Sequence, residues 1–332
     1  MTALRAGLIG LGMMGRHHAR VLREVDGIEL VAVADAMGDP HGAAGDLPLL
    51  GSVDELLDHG VDLAIAAVPT QSHEEVALKL ATAGVHTLVE KPIAHSVEAG
   101  VRMRDAFSER GLVGAVGHIE RFNPALQQLR NRIQDGHLGD VFQIATRRQG
   151  PFPARIADVG VGKDLASHDV DLTAWIADSP YASVSGQVAM KSGRPHEDMI
   201  LITGKLASGV NVNHIVNWLS PMKERLTTVT GEKGTFVADT MTGDLTFYAN
   251  GTVDVEWESI SSFRGVSEGD VTRFAFAKRE PLRVELEAFR DAVLGLPSDV
   301  VTMDQGLHTL EIVEAALRSA VTGDTVHVAQ PS

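Results

Sequence analysis

The 332-residue chain contains no cysteine, which excludes disulfides, thiolate nucleophiles and cysteine-ligated metals. Aromatic residues make up only 5%, and Trp175, Trp218 and Trp257 are scattered, so no run of rings offers a stacking platform for nucleobases. Positive charge is scarce too. Twenty-nine Lys and Arg against 44 Asp and Glu give a formal charge of −15, which argues against nucleic acid and against an acidic membrane surface. No apolar stretch approaches the length of a membrane span, and the apolar start, Leu4 to Ile9, runs into glycines instead of a small-residue cleavage site. A cytoplasmic protein is therefore expected. No metal is expected either: His17 and His18 are adjacent and cannot share a helix face, while His137, His196, His214 and His308 lack ligand spacing with carboxylates.

Glycine is abundant by contrast, at 33 residues, and its placement near the start is the most informative feature of the chain. The run Gly7-Leu8-Ile9-Gly10-Leu11-Gly12-Met13-Met14-Gly15 follows a strand-like apolar segment and precedes a helix-like one, Arg16 to Glu24. GxGxxG in that context is the fingerprint of a strand turning into a helix around a pyrophosphate. Gly10 permits the tight turn, Gly12 leaves no side chain between backbone and phosphate, and Gly15 lets the helix pack closely with its N-terminal amides facing the anion. Met13 and Met14 are counted with these glycines as cofactor-binding positions. The apolar run Ile28 to Ala34 ends in Asp35, 20 residues after Gly15, where a carboxylate accepts hydrogen bonds from both hydroxyls of an adenosine ribose. Residues 36–46 supply no Lys or Arg to neutralise a 2′-phosphate, so NAD is expected over NADP.

Up to about residue 118, short apolar strands alternate with amphipathic helices, which predicts a Rossmann-type doubly wound parallel sheet. The expected strands are Leu4 to Ile9, Glu29 to Ala34, Leu63 to Val68, Thr87 to Val89 and Leu112 to Val116. Ser52 with Glu55 and Ser72 with Glu75 fit the capping-box spacing, and a helix from Ser96 to Arg110 is closed by Gly111. Asn123-Pro124 reads as the N-cap and first-turn proline of a helix ending at Gly136. The boundary between a domain of residues 1–120 and one of 121–332 is placed here. Beyond it lie Val141 to Gln149, Val184 to Met190, Met199 to Leu206, Val210 to Trp218, Leu226 to Gly231 and Leu245 to Tyr248. Strands without intervening helices predict an α+β domain with an open, predominantly antiparallel sheet. Helices Val284 to Leu294 and Gln305 to Thr322 close the chain, and the uncovered face of the sheet favours self-association.

Two constellations carry chemistry. Loops at the carboxyl ends of parallel strands open onto a bound dinucleotide, which places Pro69-Thr70-Gln71-Ser72-His73 and Glu90-Lys91-Pro92 there. Pro92 favours an extended Lys91, whose ammonium is either solvated or placed to hydrogen-bond a substrate hydroxyl and stabilise negative charge on it. The second constellation is Gly160-Val161-Gly162-Lys163-Asp164-Leu165-Ala166-Ser167-His168-Asp169-Val170-Asp171-Leu172. On a helix running to Ile176, Asp164 and His168 share a face. The pair either caps the first turn or does the work of a hydroxyl-oxidising enzyme, with His168 removing the proton and Asp164 orienting the ring. Arg121, Arg147, Arg148 and Arg155 are basic residues near the domain junction of an acidic chain, available to a substrate pyrophosphate.

The stretches GLGMMGRHHARVL, AVPTQSH, AGVHTLVEKP, GHIERFNP and DLASHDVDL together resemble the Gfo/Idh/MocA family of NAD(P)-dependent oxidoreductases across essentially the whole chain. That resemblance implies a Rossmann domain followed by an α/β domain with an open sheet, assembled as dimers or tetramers. It matches Lys91, Asp164 and His168 to the catalytic Lys, Asp and His, and His73 and Glu90 to the nicotinamide side of the cofactor, which Pro69 and Thr70 also face by their place after a strand. GHIERFNP with RRQGPFPAR and the DLASHDVDL segment is most similar to the UDP-N-acetylglucosamine 3-dehydrogenase branch, which oxidises a sugar C3 hydroxyl to a ketone. On that reading Arg121, Asn123, Arg148, Arg155 and Lys163 are substrate-binding candidates. Lys163 departs from the branch, where an apolar residue is expected before the Asp. An inositol or free-sugar dehydrogenase and a non-catalytic NAD-binding sensor are the alternatives.

Overall fold

The computed structural model describes residues 3–153, 159–251 and 267–329. The chain divides into two compact units, one of residues 1–119 with 280–311 and one of residues 120–279 with 312–332. A single cut near residue 120 was expected. Instead residues 280–311 return to the first unit, because the apolar face of their helix, Leu282, Leu286 and Phe289, joins the core around Leu8, Leu22 and Leu30.

The first unit is built on six strands: β1 (Leu4–Ile9), β2 (Ile28–Ala34), β3 (Leu49–Leu50), β4 (Leu63–Ala66), β5 (His86–Glu90) and β6 (Gly114–Gly117). They lie in the order β3-β2-β1-β4-β5-β6 with every pairing parallel. Near-continuous apolar runs such as LAIA of β4 are what a sheet covered on both faces requires. Helices α1 (Met13–Leu22), α2 (Val53–Asp58), α3 (His73–Thr82) and α4 (Val97–Ser108) connect the strands. The Ser52 and Ser96 hydroxyls cap α2 and α4 by accepting from the Glu55 and Ala99 amides. Ser72 makes no such cap, since a 3-10 turn, Thr70–Ser72, precedes α3 and holds Ser72 in helical geometry. β4 stops at Ala66, two residues short of its expected end, as the chain turns toward Pro69.

In the second unit α5 (Pro124–Gln134) starts as expected, the Asn123 side-chain oxygen accepting from the Ala125 amide. It is followed by β7 (Val141–Pro151), α6 (Ser167–Ala177), β8 (Tyr181–Ala189), β9 (Met199–Leu206), β10 (Asn211–Asn217), β11 (Leu219–Gly231), β12 (Gly234–Asp239), β13 (Asp244–Gly251) and β14 (Ser267–Arg273). After α7 (Pro281–Val293) and α8 (Met303–Thr322), β15 (Val326–His327) completes a sheet in the order β14-β13-β12-β11-β7-β10-β9-β8-β15. Only β7 and β10 run parallel; the remaining neighbours are antiparallel. One face buries Ile200, Ile202, Val212 and Phe236 with Leu126 of α5, Leu172 of α6 and Ile312 of α8. The opposite face leaves Leu201, Tyr248 and Val271 exposed. β3, β12, β14 and β15 lie outside the expected strands, β3 and β15 being two residues long and β14, SEGDVTR, too polar to show an apolar period. Among the described residues no helix is long and apolar enough to cross a membrane.

Candidate active site

The turn from β1 into α1 has the shape its glycines imply. Gly10 has φ +91°, and a Cβ there would lie 2.5 Å from the Ala67 carbonyl oxygen. A Cβ on Gly15 would lie 1.9 Å from the Gly10 carbonyl oxygen, whereas one on Gly12 would meet nothing within 4 Å. Open space beside Gly12 meets an α1 N-terminus with no capping side chain and no acid in its first turn. Such a terminus presents free amides and a positive dipole end to an anion. Asp35, at the end of β2, accepts from the Leu11 amide at 2.6 Å and the Met37 amide at 2.7 Å, so its carboxylate is held at the rim of the same turn. This cradle fits a dinucleotide.

Glu90 ends β5, and Lys91 with the cis Lys91–Pro92 bond follows it. Glu90 is buried and accepts from His18 Nε2 of α1 at 2.7 Å and from the Lys91 amide at 3.3 Å. Burial works against its charge, but the His18 hydrogen bond and the charges of His18, Lys91 and His73 prevail and hold its pKa below the usual glutamate value. The resemblance placed His73 toward the nicotinamide. Its ring is instead 1% exposed and clamps two loops, with Nδ1 at 3.0 Å from the Pro92 carbonyl and Nε2 at 3.0 Å from the Val68 carbonyl. Burial lowers its pKa against the pull of those carbonyls. The segment carrying Lys91 is thus gripped from both sides, by Glu90 with His18 and by His73. The sequence signal for His18 is its place on the apolar face of α1, beside Ala19, Val21 and Leu22.

In the second unit Asp164 does not lie on an α-helix. It belongs to a π turn, Gly162–Ala166, that leads into α6, and His168 is the second residue of α6. The wider turn arises where the Gly162 carbonyl accepts from the amide of Ser167, five residues on, and the Ser167 hydroxyl bonds back to the Lys163 carbonyl at 2.9 Å. Asp164 and His168 are both nearly buried, at 7% and 9% exposure. Two ionisable groups held this dry, one on an irregular turn and one just after it, are candidate acid–base residues.

Known proteins resemble this chain over most of its length. Residues 4–118 match the model of an oxidoreductase family with an NAD-binding Rossmann fold, and residues 126–237 match the GFO/IDH/MocA C-terminal domain. A UDP-N-acetylglucosamine 3-dehydrogenase of Acidithiobacillus ferrooxidans is 30% identical over 88% of this chain and 90% of its own. The chain belongs to the Gfo/Idh/MocA oxidoreductase family. The scyllo-inositol 2-dehydrogenase (NAD(+)) of Bacillus subtilis is 27% identical over 98% of this chain and 96% of its own. A solved structure of the A. ferrooxidans enzyme, GnnA, superposes with TM-score 0.79 at 26% identity, covering 97% of this chain and 98% of that one. The first unit is therefore an NAD-binding Rossmann domain and the protein an NAD-dependent oxidoreductase.

In this member of the Gfo/Idh/MocA family two of the four arginines expected near a substrate pyrophosphate, Arg121 and Arg148, are internal. Arg121 is buried and bidentate on Asp171, at 2.8 and 2.6 Å. Arg148 is buried between Asp169, at 3.1 Å, and Glu120, at 2.9 Å. Burial opposes the Arg148 charge, yet those two carboxylates outweigh it and raise its pKa above the ordinary arginine value. Asp169 and Asp171 lie on the apolar helix α6, and acids buried there need cationic partners. Arg147 is half exposed beside Glu224, and Arg155 lies outside the described residues. Asn123 is occupied as the α5 cap and as a donor to the Thr240 carbonyl. The Lys163 ammonium reaches Glu314 of α8 at 2.8 Å, and both side chains are partly exposed.

Proposed function

We propose that this oxidoreductase converts a secondary hydroxyl of a sugar or polyol to a ketone, with Lys91, Asp164 and His168 as its catalytic residues. The observation that carries the reading is the near-buried Asp164 on the π turn with the near-buried His168 at the start of α6. Such a pair is costly to keep dry and is suited to taking and holding a proton. His168 accepts the hydroxyl proton. Lys91 donates a hydrogen bond to the same oxygen and offsets the negative charge that grows there as the carbinol C–H bond weakens. Asp164 orients the imidazole and stabilises its charged form. NAD, when bound, supplies the hydride acceptor. Its pyrophosphate is assigned to the amides of Gly12, Met13, Met14 and Gly15 with Gly10 shaping the turn, and its adenosine ribose to Asp35. Pro69 and Thr70 border its nicotinamide half, and Glu90 and His73 act behind them by holding the Lys91 segment.

For the substrate, the C3 hydroxyl of a nucleotide sugar such as UDP-N-acetylglucosamine is the first reading, supported by the 30% identical relative. A smaller polyol such as an inositol is the second, favoured because Arg121 and Arg148 are paired inside the protein and leave a diphosphate without them. We assign the exposed sheet face with Leu201, Tyr248 and Val271 to a homodimer or homotetramer contact, which sedimentation at micromolar concentration tests. Absorbance at the NADH band, recorded with NAD and a panel of nucleotide sugars, inositols and free sugars, tests the activity. A rise with one class identifies it, and a flat trace with every member contradicts the enzymatic reading in favour of a sensor.

A further inference from the structure

The turn between β8 and β9 grips the segment that leads into the catalytic π turn. Asp198 fixes this turn from within, its carboxylate accepting from the amides of Lys191 at 2.6 Å and Ser192 at 2.8 Å and from the Ser192 hydroxyl at 2.7 Å. From that platform Arg194 donates to the Val159 carbonyl at 2.9 Å. Glu197, 9% exposed, makes two contacts: its carbonyl accepts from the Val161 amide at 3.0 Å and its side-chain Oε1 from the Gly162 amide at 2.9 Å. These amides stand at the start of the helical segment, where no preceding turn can satisfy them. Packing is tight enough that a Cβ on Gly160 would lie 2.1 Å from the carboxylate, and one on Gly162 would lie 3.0 Å from Oε1. The gripped residues in turn hold the catalytic turn. The Gly160 carbonyl accepts from the Asp164 amide at 3.1 Å, and the Gly162 carbonyl accepts from Ser167, next to His168.

We infer that Glu197 is a positioning residue for the reaction: its carboxylate, through Gly162, sets the π turn that places Asp164 and His168. The inference rests on the functional reading above. A carboxylate is suited to the task because it accepts a backbone N–H more strongly than a neutral group and cannot compete as a donor. Glycine at 160 follows from the same contact, since any side chain would displace the carboxylate.

The test uses the full chain with NADH and follows exchange of the histidine C2 hydrogen by mass spectrometry, which gives the titration midpoint of His168 from the peptide that carries it. Glu197→Ala should move that midpoint by about half a pH unit or more, because the surroundings of the ring change. Glu197→Gln keeps an acceptor for the Gly162 amide and should stay within about 0.2 units of the parent. Gly160→Ala, which pushes the carboxylate aside without removing it, should shift the midpoint as Glu197→Ala does, and it serves where Glu197→Ala fails to fold. With a substrate from the panel, Glu197→Ala should lose about ten- to a hundredfold in kcat while the Kd for NADH changes less than about twofold, the pattern of misplaced catalytic groups. Wild-type midpoints in folded Glu197→Ala and Gly160→Ala overturn the inference. So does a Glu197→Gln shift as large as that of the alanine variant, which would mark a charge effect. Full turnover in His168→Ala would sink the functional reading instead, whatever the Glu197 variants do.

Discussion

The two units keep their functional residues in opposite ways. In the Rossmann unit the recognition proposed above belongs to the backbone: Gly10, Gly12 and Gly15 matter for the side chains they lack, and the open space at Gly12 is the proposed pyrophosphate site. In the second unit the work belongs to charged side chains, and most of these neutralise one another. Arg121 with Asp171 and Arg148 with Asp169 and Glu120 are structural pairs, while Asp164 and His168, a few residues away on the same segment, are the candidate chemistry. Charge close to a site is thus weak evidence of contact with a ligand.

Substitution can break or sharpen this contrast. Lys91→Met and His168→Ala should each lower kcat by about two to four powers of ten with NADH affinity near wild type, as general acid–base and charge-stabilising groups do. Arg148→Leu or Arg121→Leu should instead lower stability by about 3–5 kcal/mol, read by denaturant unfolding, because each leaves a buried carboxylate unpaired. A stable Arg148 variant that binds nucleotide sugars poorly would return that arginine to the substrate site. On the Rossmann side, Asp35→Ser should improve the ratio of NADPH to NADH binding by about ten- to a hundredfold, by removing charge repulsion from a 2′-phosphate. The smallest effect concerns His214, which sits between the Thr146 hydroxyl and the Tyr181 phenol, both at 2.8 Å. Burial, assisted by Arg148, pushes its pKa down to about 3 from 6.5. As pH falls below 6.5 the unfolded chain takes up a proton that the folded one refuses, so stability declines toward pH 3. His214→Gln should flatten that decline by at most about 1.4 kcal/mol per pH unit, measured as the difference between the two unfolding curves.

Legibility in the sequence follows the same division. Regular elements and the glycine turn were readable because spacing alone specifies them: β1 and β9 end where their apolar patterns end, and Gly10 takes the positive φ its place demands. The π turn was not readable, since the segment from Gly162 keeps helical spacing in sequence and widens only through the Gly162 to Ser167 hydrogen bond. Long-range partners were hidden for a similar reason. Nothing local ties Arg121 to Asp171, 50 residues on, or Glu197 to Gly162, 35 residues back. One clue was present, two acids embedded in the apolar stretch of α6, which called for buried cations before any arginine was free for a ligand.

The central claim is that Lys91 and His168 serve a single proton and hydride event, and the double variant Lys91→Met/His168→Ala tests it most directly. Groups acting as one unit are strongly non-additive, so its kcat should fall little below that of the slower single variant. A double variant slowed by the product of the two single losses, or a single variant that keeps wild-type turnover, would contradict the account.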